Sequence, residues 1–116
     1  MSVIIYHNPR CSKSRETLAL LENQGVQPIV ELYLQQQYSI DELQSIAQKL
    51  GIDDVRQMMR TKDDLYKSLN LDNLEISQAE LLKAMSEHSA LIERPIVING
   101  NQAKIGRPPE SILEIL

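Results

Sequence analysis

The sequence predicts an α/β fold in which a βαβ unit and a closing ββα unit flank a helical insertion. Short β-branched runs bounded by turn residues occur in both halves, as expected for buried strands. The middle of the chain instead has helix-start signals followed by apolar residues at helical spacing. With 116 residues, of which 42% are apolar, the chain can build one core. We therefore expect a single domain over residues 1–116, with the insertion at about 39–90.

The βαβ unit comes first along the chain. The run Val3–Tyr6 predicts one strand, and residues 28–34, rich in Ile, Val and Leu, predict a second. Between them, leucines recur at helical spacing from Leu18, and Gly25 is placed as a C-terminal helix stop. Two strands joined through one helix predict a right-handed crossover. Cys11 then falls in the turn between the first strand and this helix.

Two capping boxes predict the helices of the insertion. Ser39 precedes Glu42, and Ser77 precedes Glu80, by the spacing that satisfies free N–H groups at a helix start. Apolar residues at helical spacing follow each box. Residues 53–69 lie between the two helices and are polar, which predicts short helical turns.

The last part of the chain predicts two strands and a helix. Residues 96–98 form a β-branched run that follows a proline, and Asn99-Gly100 predicts a tight hairpin turn. A second strand is expected over residues 102–105. Further on, Ile112, Leu113 and Leu116 predict the apolar stripe of a closing helix.

Composition excludes several classes of function. The net charge of -4 gives no electrostatic footprint for nucleic acid or an anionic membrane surface. The sequence has no Trp and no Phe, which disfavours a stacking surface for single-stranded nucleic acid. No apolar stretch approaches the roughly 20 residues that span a bilayer. The first residues carry neither a basic segment nor a cleavage site, so a cytoplasmic protein is expected.

Cys11 is the only cysteine in the sequence, so it can form neither an internal disulfide nor a Cys-rich zinc site. A thiol at a helix N-terminus faces unpaired N–H groups and the positive end of the helix dipole, which favour the thiolate and bind oxyanions. His7, Arg10, Lys13 and Arg15 form a basic island around it in an acidic chain. A buried cysteine that serves only as a small hydrophobe is the alternative. The polar neighbours favour a reactive thiolate instead.

Other candidate residues have two interpretations each. His7 tunes the thiol or ends the first strand with its ring on a carbonyl group. Ser14 donates a hydrogen bond to the sulfur or to a ligand, or it only caps the helix. Read singly, three arginines would be surface residues in weak ion pairs, and position alone does not join them to the cysteine. These arginines are Arg60, Arg94 and Arg107.

Three segments together form a pattern that extends over nearly the whole chain. They are Tyr6-His7-Asn8-Pro9-Arg10-Cys11-Ser12-Lys13-Ser14-Arg15, Glu93-Arg94-Pro95-Ile96-Val97 and Ile105-Gly106-Arg107-Pro108-Pro109. This pattern resembles the glutaredoxin-dependent arsenate reductase family. The resemblance implies a thioredoxin-like fold and the reduction of arsenate to arsenite.

The resemblance also implies individual roles. Cys11 would be the nucleophile that attacks arsenate or a similar oxyanion, with His7 and Ser14 helping to stabilise its thiolate. Pro95 would be the cis-proline that precedes a strand beside the reactive cysteine. The arginines implied around the oxyanion are Arg60, Arg94 and Arg107. No bound cofactor or metal is implied. Glutathione would be the co-substrate and glutaredoxin the partner. External thiols are needed because a lone cysteine cannot release the product by forming an internal disulfide.

Two other functions remain as alternatives. A glutathione-dependent thiol oxidoreductase acting on another substrate would need a low thiol pKa but no set of oxyanion-binding arginines. A regulator resembling the Spx proteins, which contact the RNA polymerase α-subunit, would share the fold. Those proteins typically carry Cys-x-x-Cys, whereas this chain has Cys11-Ser12-Lys13-Ser14. That redox switch therefore cannot form here.

Overall fold

The computed structural model describes residues 2–116, which form two compact units. The first unit contains the chain up to Gln35 together with Arg94–Leu116, and the second is the inserted segment Gln36–Glu93. The element order is βαβ, helices, ββ and a closing helical segment, which confirms the α/β class and the thioredoxin-like order. The one-domain assignment and the bounds of the insertion stay predictions.

A four-stranded sheet forms the frame of the first unit. Its strands are β1 (Val3–Tyr6), β2 (Ile29–Glu31), β3 (Ile96–Asn99) and β4 (Gln102–Ile105). Their order is β2-β1-β3-β4, in which β1 pairs parallel with β2 and antiparallel with β3, and β3 pairs antiparallel with β4. The second strand is shorter than predicted, because the chain turns into a 3₁₀ helix at Tyr33–Gln35.

Helix α1 (Ser12–Asn23) follows β1, and its buried Leu21 joins the core of the first unit. The other members of that core are Ile5, Val97, Ile112 and Ile115. The closing segment Pro109–Ile115 is a 3₁₀ helix, so the α-helix predicted there is wrong in type. Three residues per turn place Ile112 and Ile115 on one face. Leu113, which the predicted stripe included, is 41% exposed.

The second unit is helical. It contains α2 (Ile40–Leu50), α3 (Asp64–Ser68) and α4 (Gln78–Glu87), with 3₁₀ turns at Val55–Met58 and Ser89–Leu91. Both predicted capping boxes are confirmed: the Ser39 hydroxyl accepts the Glu42 N–H, and the Ser77 hydroxyl accepts the Glu80 N–H. Along residues 2–116, no helix combines the length and the apolar character that crossing a membrane requires.

Candidate active site

Cys11 is the N-cap residue of α1, as predicted from its place between a strand and a helix. Its side chain makes no capping hydrogen bond, and the residue is 9% exposed. Arg107 reaches the sulfur from the other end of the chain, with its Nη2 donating to Sγ at 3.6 Å. The thiol therefore faces a permanent positive charge.

The pKa of the Cys11 thiol lies below its ordinary value. Burial raises this pKa, but the backbone N–H groups of Ser14 and Lys13 and the charges of Arg94 and Arg107 together lower it by more. The N–H groups belong to the first turn of α1, where they have no partner within the helix. The sulfur is therefore ionised at lower pH than a free cysteine is.

The residues of the basic island lower the thiol pKa less directly than their closeness in sequence to Cys11 suggests. Arg15 Nη1 donates to the Pro9 carbonyl oxygen at 2.9 Å, and Lys13 Nζ pairs with Glu16 at 3.5 Å. The charges that lower the thiol pKa belong to arginines distant in sequence. The expectation that His7 adds a positive charge is wrong, because burial and the neighbouring charge of Arg15 lower the pKa of its ring.

His7 and Ser14 are buried and joined to each other. His7 Nδ1 lies 2.6 Å from Ser14 Oγ, which also accepts the Asn8 N–H at 3.0 Å. A hydroxyl group has one donor hydrogen and two acceptor positions, so this bond forms either from Oγ–H to Nδ1 or from Nδ1–H to Oγ, depending on the tautomer of the ring. Ser14 faces the sulfur with its backbone N–H, whereas its hydroxyl group is bonded to His7. The partner of His7 Nδ1 is this hydroxyl group and not a carbonyl group.

Arg94 and Arg107 are connected through the main chain beside the cysteine. Arg107 Nε donates to the Arg94 carbonyl oxygen at 2.8 Å. The Arg94-Pro95 peptide is cis, which confirms the prediction for Pro95, and the Arg107-Pro108 peptide is cis as well. The segments around Arg94 and Arg107 therefore lie together although 13 positions separate these residues.

Gly106 permits the close packing of these segments on α1. A Cβ at this position would lie 2.5 Å from Thr17 Oγ1 and 2.8 Å from Pro95 Cγ. The Gly106 N–H donates to the Pro95 carbonyl oxygen at 2.9 Å, and the buried Thr17 hydroxyl donates to the Lys13 carbonyl oxygen at 2.8 Å. The sequence interpretation missed Gly106 and Thr17. A glycine directly after a strand was the available signal, since it often marks a close backbone approach.

Arg60 belongs to the second unit. Its Nη2 pairs with Asp63 Oδ1 at 3.0 Å, and its backbone N–H donates to the Leu91 carbonyl oxygen at 2.8 Å. These contacts hold the side chain partly buried within that unit. Its implied place beside the oxyanion stays a prediction.

The arrangement places a candidate nucleophile beside groups that can bind an anion. A thiol with a lowered pKa, two guanidinium groups and the N-terminus of a 12-residue helix meet at Cys11. Guanidinium groups offer planar pairs of donors to a tetrahedral oxyanion, and helix N-termini bind anions through free N–H groups. Among residues 2–116, no group of three His, Cys, Asp or Glu side chains is placed to hold a metal ion.

Known proteins are similar to this chain over all or nearly all of its length. The ArsC family model matches residues 6–115. The chain is 85% identical to the arsenate reductase of Haemophilus influenzae over 116 residues, which cover 100% of both chains. It is 50% identical to the arsenate reductase of Neisseria meningitidis serogroup A, covering 97% of this chain and 96% of that one. The solved structure of an arsenate reductase from Vibrio cholerae aligns with a TM-score of 0.97 at 59% identity, over 100% of this chain and 98% of that one.

Proposed function

The chain belongs to the ArsC family, and from this premise we propose that it reduces arsenate to arsenite with Cys11 as the nucleophile. The observation that carries the proposal is the 3.6 Å contact between Cys11 Sγ and Arg107 Nη2 at the N-terminus of α1. One guanidinium there favours the thiolate and also offers donors to the oxyanion that the thiolate attacks. Glutathione and glutaredoxin supply the electrons, which suits the reducing cytoplasm.

The oxyanion binds between Arg94, Arg107 and the first turn of α1. Arginine stays charged at any working pH, so both side chains offset the repulsion between the arsenate dianion and the thiolate. Arg60 is the third arginine of the proposed set. His7 and Ser14 are positioning residues, because their hydrogen bond holds the turn that directs the Ser14 N–H at the sulfur.

The chemistry runs in three balanced steps. The Cys11 thiolate attacks arsenic, a sulfur–arsenic bond forms, and an arsenic oxygen leaves as water after protonation. A glutathione thiolate then attacks the Cys11 sulfur, and the sulfur–arsenic electron pair stays on arsenic, which leaves reduced as arsenite. Each sulfur loses one electron in forming the mixed disulfide. A glutaredoxin thiolate attacks the glutathione sulfur of that disulfide and releases Cys11 as a thiolate.

A coupled assay tests the proposal. Arsenate-dependent NADPH oxidation is measured with glutathione, glutathione reductase and glutaredoxin, and the wild type is expected to turn over. Cys11→Ser should be inactive with an unchanged circular dichroism spectrum, because a serine hydroxyl stays protonated at neutral pH. Mass spectrometry after arsenate and glutathione should find one glutathione attached at Cys11. Full turnover without glutathione, or an active Cys11→Ser variant, would contradict the mechanism.

The same assay separates the alternatives. Reduction of a glutathione mixed disulfide without any arsenate reduction would favour a thiol oxidoreductase acting on another substrate. Binding to the RNA polymerase α-subunit without either activity would favour an Spx-like regulator.

A further inference from the structure

A cleft of about 290 Å³ lies beside the loop that precedes Cys11. Residues 7–10 of that loop form one side, and the segment after β2 forms the other, with Leu32, Leu34 and Gln35. The volume is near the lower limit for sites that hold small molecules, which begins at roughly 300 Å³. The occupant is therefore a small molecule rather than a folded partner.

His7 brings a ring nitrogen that can form a hydrogen bond to this cleft. The residue is 6% exposed and lines the cleft, and its Nδ1 is taken by Ser14 Oγ. In the tautomer in which the Ser14 hydroxyl donates to Nδ1, the ring hydrogen lies on Nε2, and within residues 2–116 no group accepts it. Nε2 is not fully buried, so a molecule in the cleft can take the place of water as its hydrogen-bond partner.

The exposed residues of the cleft add donors of the same kind. Arg10 is exposed, and among residues 2–116 its guanidinium forms no ion pair or hydrogen bond. Gln35 adds a side-chain amide, and no acidic residue lines the cleft. A guanidinium, an amide and an imidazole N–H match a carboxylate, whose two oxygens accept several hydrogen bonds.

The opposite wall is apolar. Leu32 and Leu34 line it, and Leu34 is 46% exposed although its side chain is large and hydrophobic. A ligand that covers Leu34 removes this surface from water, which favours binding. The cleft thus suits a molecule with a carboxylate at one end and hydrocarbon or peptide groups beside it.

We propose that this cleft binds glutathione, with Arg10, Gln35 and His7 donating to one carboxylate and the leucines contacting the peptide. The assignment rests on the proposed function, in which a glutathione thiol must reach Cys11, the residue next to Arg10. Arg94 and Arg107, which hold the oxyanion in that function, do not line the cleft. Both ligands can therefore be bound at the same time.

Calorimetric titration with S-methylglutathione, which cannot react with Cys11, tests the assignment without turnover. Arg10→Ala and Gln35→Ala should each weaken binding, and the loss of a charge-assisted hydrogen bond predicts roughly tenfold for Arg10→Ala. Lys13→Ala is the matched control, since it removes one positive charge from the first turn of α1, close in sequence to Arg10, but its side chain pairs with Glu16 outside this cleft. Its affinity should equal that of the wild type.

Kinetics with two thiols give a second test. Arg10→Ala should raise KM for glutathione and leave KM for arsenate unchanged, while turnover with cysteamine, which has no carboxylate, should match the wild type. An equal loss with both thiols would instead assign Arg10 to the reactivity of the sulfur and overturn the proposal.

The two proposals fail in different ways. The cleft assignment is overturned if the wild type does not bind S-methylglutathione. It is also overturned if both Arg10→Ala and Gln35→Ala bind S-methylglutathione as tightly as the wild type does, whatever their turnover. A wild type that binds S-methylglutathione through Arg10 but does not reduce arsenate supports the cleft and contradicts the proposed function.

Discussion

At the scale of single residues, opposing effects decide the state of the Cys11 sulfur. Burial favours the neutral thiol, whereas two guanidinium groups and two backbone N–H groups favour the thiolate and prevail. Because the folded-state pKa lies below the unfolded one, ionised Cys11 contributes stability at alkaline pH. This contribution is lost as pH falls through the folded-state pKa.

Arg107→Ala should move the pH profile of Cys11 alkylation upward. The variant removes the charge that lies 3.6 Å from the sulfur, so the thiol pKa rises toward its ordinary value. Iodoacetamide alkylation rates measured across pH give the midpoint. Arg15→Ala is the matched control, because this guanidinium is bonded to the Pro9 carbonyl oxygen. Equal midpoints in wild type and Arg107→Ala would remove Arg107 from the thiol's surroundings.

His7 makes folding stability depend on pH in the acidic range. Its folded pKa is lower than the ordinary histidine value of 6.5, so the unfolded state takes up a proton first as pH falls. Stability should be complete above 6.5 and decline until the lowered folded pKa is reached. Urea unfolding across this range should show a steeper decline for the wild type than for His7→Gln. Parallel curves would contradict a lowered His7 pKa; His88 is present in both proteins.

At the scale of elements, helix α1 is both the source of the thiolate-stabilising N–H groups and the surface on which the arginine segments pack. Thr17 lies on α1 one turn beyond Lys13, to whose carbonyl oxygen it donates. Gly106 lies against Thr17, directly before Arg107. The position of that guanidinium therefore depends on how closely the end of β4 approaches the helix.

Gly106→Ala should reduce the free energy of unfolding by about 1–3 kcal/mol, the usual range for overpacking a core. The added methyl group meets Thr17 Oγ1 at 2.5 Å and the rigid Pro95 ring at 2.8 Å. Denaturant unfolding measures the loss. Combining it with Thr17→Ala should relieve the clash only in part, because the proline contact remains. A Gly106→Ala variant as stable as the wild type would show that the approach is looser than the structure indicates.

Local patterns predicted most elements but not the contacts between them. The capping boxes at Ser39 and Ser77 and the place of Cys11 follow from neighbouring residues, so the sequence alone was sufficient. The type of the closing helix was missed, because burial of Ile112 and Ile115 depends on the core that they meet. The approach of Arg107 to Cys11 joins residues 96 positions apart, which no local pattern encodes.

At the scale of the whole molecule, an acidic chain concentrates positive charge at one place. The net charge is -4, yet the pKa of Cys11 is lowered by two arginines from the C-terminal part of the first unit. The three proposed oxyanion-binding arginines are divided between the units, since Arg60 belongs to the second. Anion binding measured on the full chain therefore tests whether both units contribute.

Arsenate or sulfate should raise the thermal unfolding midpoint of Cys11→Ser, a variant that cannot form the covalent adduct. A ligand that binds only the folded state at 100 times its Kd adds about 2.7 kcal/mol of stability. In this background, Arg94→Ala and Arg107→Ala should abolish most of the shift, and Arg94→Lys should reduce it because an ammonium lacks the paired donors of a guanidinium. Lys13→Ala serves as the charge-matched control and should keep the shift. If Arg60→Ala loses as much of the shift as Arg94→Ala does, the second unit contributes to anion binding. If Arg60→Ala keeps the full shift, only residues of the first unit bind the oxyanion. A full shift in all three alanine variants would contradict the arginine site altogether.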